Sequence, residues 1–219
     1  MKSWITSTVV TDLLTTLYAE AAKSDPLARK AALEAGETEA DYYKLMRKAY
    51  VPVPQEFGNL LYSLARSVKA KTVIEFGTSF GISTIFLASA IRDNGAGKVV
   101  TTEFVSEKAE QAKKNLAAVG LEDWVDFRIG DALETLKADL PGEIDLVLLD
   151  GAKGLYFDAL RLLEPYLRAG SIVASDNTDH KSLEAFLGYV RNPENGYTST
   201  AILTTRADVT RPHEISIRN

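Results

Sequence analysis

The sequence of 219 residues contains no cysteine and only two histidines. The lack of cysteine excludes a disulfide framework, a thiolate metal site and a cysteine nucleophile. Two histidines also argue against a histidine-rich zinc site. We therefore expect oxygen ligands for any metal ion, and lysine, tyrosine or a carboxylate as any catalytic base. We expect both histidines at the surface, His180 at the start of a helix and His213 at the start of a strand.

Long apolar runs and an excess of positive charge are also missing. No segment reaches the roughly 18 to 20 apolar residues that span a bilayer, and the opening segment lacks the small-residue cleavage site of a signal peptide. With 25 Lys and Arg against 30 Asp and Glu, the net charge is −5, and no basic stripe is available for nucleic acid. We expect a soluble, cytoplasmic protein that binds neither membrane nor nucleic acid.

The hydrophobic pattern changes near residue 70. Before it, apolar residues recur three and four apart, as in amphipathic helices, with Asp25-Pro26 predicted to begin a second helix and Thr38 a third that reaches Tyr50. After it, helical segments alternate with β-branched segments at 72–77, 98–104, 124–129, 144–150, 171–175, 198–205 and 213–219. This alternation predicts one α/β domain with a mostly parallel sheet, helices on both faces and an antiparallel hairpin at the C-terminal edge.

Polar residues follow the predicted strands at the edge where open parallel sheets bind ligands. The first strand ends in EFGTSFGIS (75–83), a glycine-rich turn that could hold an anionic group at a helix N-terminus. Glu103, after the second strand, could accept both hydroxyls of a ribose, and Asp131, after the third, could accept an adenine amino hydrogen. The alternatives are a purely structural turn, a solvated Glu103 and a helix N-cap at Asp131.

Oxygen donors follow the fourth and fifth strands, as Asp150 and as Asp176-Asn177. If these strands are neighbours, about 4.8 Å apart, the side chains can converge on one point, and three oxygen donors suit Mg²⁺, Mn²⁺ or Ca²⁺. Asp176 and Asn177 can share an ion only if the chain bends between them. Lys153 beside such an ion could act as a general base. The alternatives are Asx turns that cap the next helices, and a surface lysine.

These motifs together resemble a known family. The combination of EFGTSFGIS, GDA (130–132), the D-x-x-K-x-x-Y spacing of Asp150, Lys153 and Tyr156, and Asp176-Asn177 is similar to the cation-dependent class I O-methyltransferases that use S-adenosylmethionine. Catechol and caffeoyl-coenzyme A O-methyltransferases belong to this family. The resemblance runs from about residue 45 to the end. It implies a Rossmann-like, seven-stranded sheet, with residues 1–54 as a helical cover and residues 55–219 as the methyltransferase domain.

The resemblance also implies roles for individual residues. Lys153 and Asp150 would act in catalysis, Lys153 as the base toward the acceptor hydroxyl, and Asp150, Asp176 and Asn177 would chelate Mg²⁺ or a similar ion. The implied reaction is a one-step displacement at the sulfonium methyl, with a small catechol-like or other vicinal-dioxygen acceptor, in a homodimer. The residues implied to bind S-adenosylmethionine are Val53, Glu75, Gly77, Thr78, Ser79, Gly81, Ser83, Glu103, Asp131 and Ala132.

Two other functions stay open. A nicotinamide-dependent oxidoreductase also uses a glycine-rich turn, but its fingerprint is G-x-G-x-x-G, whereas this loop has the pattern G-x-x-x-G. A binding protein or a metal-independent methyltransferase of the same fold, which has lost the ion, is the second alternative. The presence of Asp150, Lys153, Asp176 and Asn177 together argues against it.

Overall fold

The computed structural model describes residues 3–35, 45–137, 139–206 and 209–219. Its one sheet has seven strands in the order β3-β2-β1-β4-β5-β7-β6. The strands are β1 (Thr72–Phe76), β2 (Lys98–Glu103), β3 (Val125–Ile129), β4 (Ile144–Leu149), β5 (Leu167–Ser175), β6 (Tyr197–Arg206) and β7 (Val209–Arg218). The α-helices are α1 (Thr8–Ala35), α2 (Gln55–Ser67), α3 (Ile82–Asn94), α4 (Ser106–Ala118), α5 (Ala132–Thr135), α6 (Tyr156–Leu163) and α7 (Glu184–Val190).

The pairing of the strands confirms the predicted fold class. Strands β1 to β5 pair in parallel, and β7 runs antiparallel to both β5 and β6 at the edge of the sheet. The direction of strand succession reverses between β1 and β4, which are neighbours. In open α/β sheets this switch point, at the carboxyl ends of the strands, is where ligands bind.

Two hydrophobic clusters cover the two faces of the sheet. Val73 of β1 belongs to the first cluster, together with Phe57 of α2 and Ile85 of α3. The next residue, Ile74, belongs to the second cluster, together with Leu160 of α6. Because successive strand residues point to opposite faces, both faces are buried and helices lie on both, as predicted.

The first helix differs from the prediction. Helix α1 is continuous from Thr8 to Ala35 and contains Pro26, so the predicted helix start at Asp25 is wrong. The Asp25 carboxylate instead accepts hydrogen bonds from the backbone N–H groups of Tyr50 and Val51, at 2.8 Å each. Asp25 thus ties α1 to the segment before α2.

The third predicted helix lies mostly outside the described residues. Its proposed start at Thr38 belongs to the part of the chain that the structure leaves undescribed, and its end is a 3-10 turn over Met46–Lys48. None of the helices in the described ranges combines the length and apolar character that a bilayer crossing requires.

Candidate active site

Two carboxylates and one ammonium group meet beyond the ends of β4 and β5. The two strands pair with Leu149 opposite Ser175, so the residues that follow them lie side by side. Lys153 Nζ lies 3.5 Å from Asp150 Oδ1 and 3.7 Å from Asp176 Oδ2. The structure therefore brings these three predicted site residues together.

Asn177 joins this cluster through a bend of the chain. Its φ angle is +49°, in the left-handed region, which asparagine adopts more readily than most residues. The chain thus turns directly after Asp176, as a shared ion requires. The Asn177 side-chain amide donates to Oδ2 of Asp176.

Burial and mutual repulsion separate the pKa values of the two carboxyl groups. Burial and the neighbouring charge of Asp176 raise the pKa of Asp150 well above its usual range, and Lys153 offsets only part of this rise. Burial also acts to raise the pKa of Asp176, but Lys153, His213 and the contact with Asp150 outweigh it and leave that pKa below its usual value. The carboxyl group of Asp150 therefore binds a proton more tightly than that of Asp176 does.

Tyr156 fixes the ammonium group of Lys153. The Tyr156 hydroxyl lies 2.5 Å from Lys153 Nζ, and the Asp176 carbonyl accepts from the same Nζ at 3.0 Å. The Tyr156 ring is fully buried and packs edge-on against Phe76 and Phe186. The D-x-x-K-x-x-Y spacing thereby places a rigid partner next to the lysine.

His213 corrects the prediction from sequence. It was expected at the surface, but it is fully buried in β7, with Nδ1 3.0 Å from Asp176 Oδ1. The reason is the antiparallel register, which places Glu214 opposite Ser175 and therefore His213 beside Asp176. His180 is exposed and precedes the 3-10 turn over Lys181–Leu183, as predicted.

Two glycines of the glycine-rich loop are needed for different structural reasons. Gly77 has a φ of +106°, and a Cβ there would lie 2.7 Å from the Asp150 carbonyl oxygen. Gly77 therefore allows the glycine-rich loop to touch the end of β4. Gly81 has a φ of +83°, and a Cβ there would lie 2.8 Å from a methyl carbon of Leu116. Gly81 is therefore needed so that the loop can pack closely against α4.

Glu75 lies fully buried beneath this loop. Its Oε2 accepts hydrogen bonds from Thr84 at 2.5 Å and from Thr101 at 2.6 Å, and Oε1 has no hydrogen-bond partner among the described residues. Burial raises the pKa of Glu75 to about 7, although the hydroxyls of Ser83, Thr101 and Thr84 act to lower it. Sequence reasoning missed the two threonines, because Thr101 reaches Glu75 only through the β1–β2 register.

The middle of the loop is held by hydrogen bonds. Thr78 is buried, and its hydroxyl donates to the Thr102 carbonyl at 3.0 Å. Ser79 has a φ of +48°, and its N–H donates to Glu103 Oε2 at 2.8 Å. The other carboxylate oxygen of Glu103 accepts from the Val105 N–H at 2.9 Å. Glu103 is therefore fixed toward the loop, at the end of β2.

The remaining predicted cofactor residues lie in different environments. Asp131 is exposed and caps α5 by accepting from the Leu133 N–H at 2.8 Å, which is the N-cap alternative and leaves a carboxylate oxygen exposed. Ala132 is buried. Val53 is buried too, and its carbonyl accepts from the Tyr18 hydroxyl at 3.0 Å.

The segment before α2, which contains Tyr50, contacts the glycine-rich loop. The Ser79 hydroxyl donates to the Tyr50 carbonyl at 2.8 Å, and the Tyr50 ring stacks on Phe80 with a centroid distance of 4.2 Å. Lys108, buried on α4, donates to the same Ser79 hydroxyl at 3.2 Å. The loop thus has direct partners in the N-terminal segment.

The chemistry of the donors fits a divalent cation. Within the described ranges, no three side chains among Asp, Glu, His and Cys converge as a metal site does. Only two of the three candidate ligands, Asp150 and Asp176, belong to these residue types. The side chain of Asn177 and the oxygens of water or substrate would complete the set. The buried Asp176 and the half-buried Asp150 at one strand edge supply the negative charge that such an ion would neutralise.

Known proteins share this chain's sequence pattern and fold. Residues 74–178 match the family model described as a methyltransferase domain. The chain is 34% identical over 146 residues to catechol O-methyltransferase of Mycobacterium tuberculosis, covering 67% of this chain and 64% of that protein. It is 30% identical over 152 residues to caffeoyl-CoA O-methyltransferase of Stellaria longipes, covering 64% and 62%. The chain thus spans less than two thirds of the length of these curated relatives.

A solved structure agrees over more of the chain. The O-methyltransferase TomG from Streptomyces achromogenes, in complex with S-adenosylmethionine, superposes with a TM-score of 0.70 at 25% identity. The match covers 86% of this chain and 93% of that one.

Proposed function

Since this chain belongs to the family of class I S-adenosylmethionine-dependent O-methyltransferases, we propose that it methylates a hydroxyl oxygen of a small acceptor with two adjacent oxygens, with the help of a divalent cation. One observation carries the proposal. Asp150, Asp176 and Lys153 meet beyond the adjacent ends of β4 and β5. The glycine-rich loop, where the methyl donor would bind, touches the same edge through Gly77.

We assign the methyl donor to the loop after β1. S-adenosylmethionine supplies a methyl group on a sulfonium. The unpartnered Oε1 of Glu75 supports binding of its amino-acid part, along with the backbone and hydroxyls of Gly77, Thr78, Ser79, Gly81 and Ser83 and the neighbouring Val53. Each carboxylate oxygen of Glu103 accepts one N–H bond and keeps a lone pair for a ribose hydroxyl. Asp131 and Ala132 follow β3, where the adenine would lie.

We assign the cation to Asp150, Asp176 and Asn177. A divalent cation such as Mg²⁺ would favour the deprotonated form of an acceptor hydroxyl. In its neutral form, Lys153 takes the hydroxyl proton at Nζ, where Tyr156 and the Asp176 carbonyl hold it. The acceptor oxygen then forms its bond to the methyl carbon as the sulfur–carbon bond breaks. Orientation of the two reactants by the loop and the strand ends supplies much of the acceleration.

One observation favours a metal-independent mechanism as the second candidate. Lys153 already provides a positive charge within 4 Å of both carboxylates. A lysine held this way could stand in for a cation. The nicotinamide alternative is not retained, because the chain belongs to a methyltransferase family.

We further propose that the protein is a cytoplasmic homodimer, with residues 1–54 covering the methyltransferase domain at 55–219. Two large apolar side chains of α1, Leu27 and Leu33, are exposed. They support a self-association face on the N-terminal cover.

Methyl transfer from S-adenosylmethionine to catechol, compared with phenol, tests the proposal. We expect methylated catechol, loss of product after exhaustive chelation, and recovery on adding Mg²⁺ or Mn²⁺. Asp176→Ala should lower turnover by about 10²-fold or more, because the cation loses a ligand. Asp158→Asn, which removes an exposed carboxylate on α6, is the control and should keep full turnover.

Two outcomes separate the candidates. Full turnover after chelation and in the Asp176→Ala variant would select the metal-independent mechanism. Failure to methylate any member of a wider phenol panel, together with no binding of S-adenosylhomocysteine by calorimetry, would contradict the proposed function.

A further inference from the structure

A fully buried histidine lies behind the candidate cation site, with its ring fixed on three sides. His213 is 0% exposed. Its ring stacks on Phe57 with a centroid distance of 4.0 Å and an interplanar angle of 16°. Its Nε2 lies 2.6 Å from the Thr204 hydroxyl, and its Nδ1 lies 3.0 Å from Asp176 Oδ1. Neither the sequence motifs nor the proposed mechanism gives this residue a task.

The chemistry of the neighbours sets the orientation of the ring. Asp176 already accepts from the Asn177 amide at Oδ2, and as a ligand of a cation it would be a carboxylate, whose oxygens act only as acceptors. Nδ1 therefore carries the hydrogen, and Nε2 accepts from the Thr204 hydroxyl. The Nδ1–H does not point straight at Oδ1, and neither atom has another hydrogen-bond partner among the described residues. The contact is therefore a close electrostatic one at 3.0 Å, without the geometry of a hydrogen bond.

The two oxygens of Asp176 face different neighbours. Oδ1 faces His213, on the side of β7. Oδ2 faces Lys153 and accepts from Asn177, toward β4. The sheet order β4-β5-β7 places Asp176 between the candidate site and the histidine.

We propose that His213 is a positioning residue that holds Oδ1 of Asp176, so that Oδ2 is presented to the cation beside Asp150 and Asn177. This inference rests on the proposed cation centre. Partners that orient metal ligands from behind typically change metal affinity by about 10- to 100-fold when they are removed. His213 acts through Asp176 and touches no reactant.

Two isosteric variants separate the two ring nitrogens. In His213→Asn, the amide nitrogen can take the place of Nδ1 and keep the donor to Asp176. In His213→Gln, the amide group reaches the place of Nε2 near Thr204, and the donor to Asp176 is lost. Both variants lose the aromatic stack on Phe57. Asn removes more volume than Gln, so packing loss alone would harm His213→Asn more, which is the opposite order to the one expected for the donor.

The affinity for Mn²⁺ alone, measured by electron paramagnetic resonance on the full chain, is the readout. We expect His213→Asn to bind Mn²⁺ within about 3-fold of the unsubstituted protein and His213→Gln to bind it about 10- to 100-fold more weakly. Circular dichroism establishes that each variant is folded. Thr204→Val, which leaves the ring in place but removes the hydroxyl at Nε2, should weaken Mn²⁺ binding by a smaller factor and serves if the histidine variants do not fold.

Each contrary result points to a different failure. If folded His213→Gln binds Mn²⁺ as tightly as the unsubstituted protein, His213 is only structural, while the cation centre stands. The same holds for Thr204→Val if it is the only folded variant and its affinity is unchanged. A nitrogen hyperfine coupling that disappears in His213→Asn would make His213 a direct ligand and overturn the positioning role. Absence of Mn²⁺ binding by the unsubstituted protein would overturn both this inference and the proposed centre.

Discussion

Glu75→Gln should remove a pH dependence from the stability of the protein. Burial raises the pKa of this carboxyl from its ordinary 4.5 to about 7. Between these values the folded protein keeps a proton that the unfolded chain has released, so stability falls as the pH rises through the window. At 1.36 kcal/mol per pH unit, the free energy of unfolding loses about 3 kcal/mol by pH 8. The loss begins above the unfolded pKa and is complete above the folded one.

Glutamine is a close replacement at this position. Its amide oxygen can take the place of Oε2 and accept from Thr84 and Thr101, and its amide nitrogen can take the place of the unpartnered Oε1. The replacement therefore removes the titration while it keeps the hydrogen bonds.

Urea unfolding of the variant and of the unsubstituted protein, from about pH 5 to about pH 8, measures the effect. We expect the difference in the free energy of unfolding to rise in favour of Glu75→Gln by about 3 kcal/mol over this range. Glu122→Gln, at an exposed position, is the control, and its difference should stay nearly constant. A constant difference for Glu75→Gln would refute the reasoning, because it would mean that burial does not disfavour the ionised carboxylate.

Two further variants test the loop and the lysine. Gly77→Ala places a methyl group 2.7 Å from the Asp150 carbonyl oxygen and should lower the free energy of unfolding by about 2 kcal/mol or more. Gly95→Ala, also at positive φ but with open space around the methyl group, should lower it by about 1 kcal/mol. Equal losses of stability in urea unfolding would contradict the close contact at Gly77. Lys153→Met should lower turnover by about 10²-fold or more while S-adenosylhomocysteine still binds in calorimetry, and Lys181→Met should keep turnover; full turnover of Lys153→Met would exclude it as the base.

Local sequence patterns were sufficient to predict which residues of the candidate site lie at strand ends. Asp150 and Asp176 follow β-branched segments, and the only further requirement is that β4 and β5 are neighbours. The alternation of strands and helices makes that arrangement the expected one. Lys153 follows from its spacing to Asp150, since a short turn keeps it at the same edge of the sheet.

Contacts between segments that are distant in the chain could not be predicted from local sequence patterns. His213 meets Asp176 only because β7 inserts antiparallel beside β5, and a shift of one residue would turn its side chain to the other face. Pro26 in α1 is a second example. The helix of 28 residues continues through Pro26 despite the low helix propensity of proline. Asp25 accepts hydrogen bonds from Tyr50 and Val51, about 25 residues away in the chain.

Gly77 joins the two halves of the site by a contact between main chains. The loop after β1 rests on the peptide between Asp150 and Gly151, and the Asp150 N–H donates to the Phe76 carbonyl at 2.8 Å. The spacing between the loop after β1 and the end of β4 is thus set by backbone atoms, which substitutions of side chains leave in place. In the proposed methyl transfer, substitutions that change the acceptor would therefore leave the spacing of these two segments unchanged.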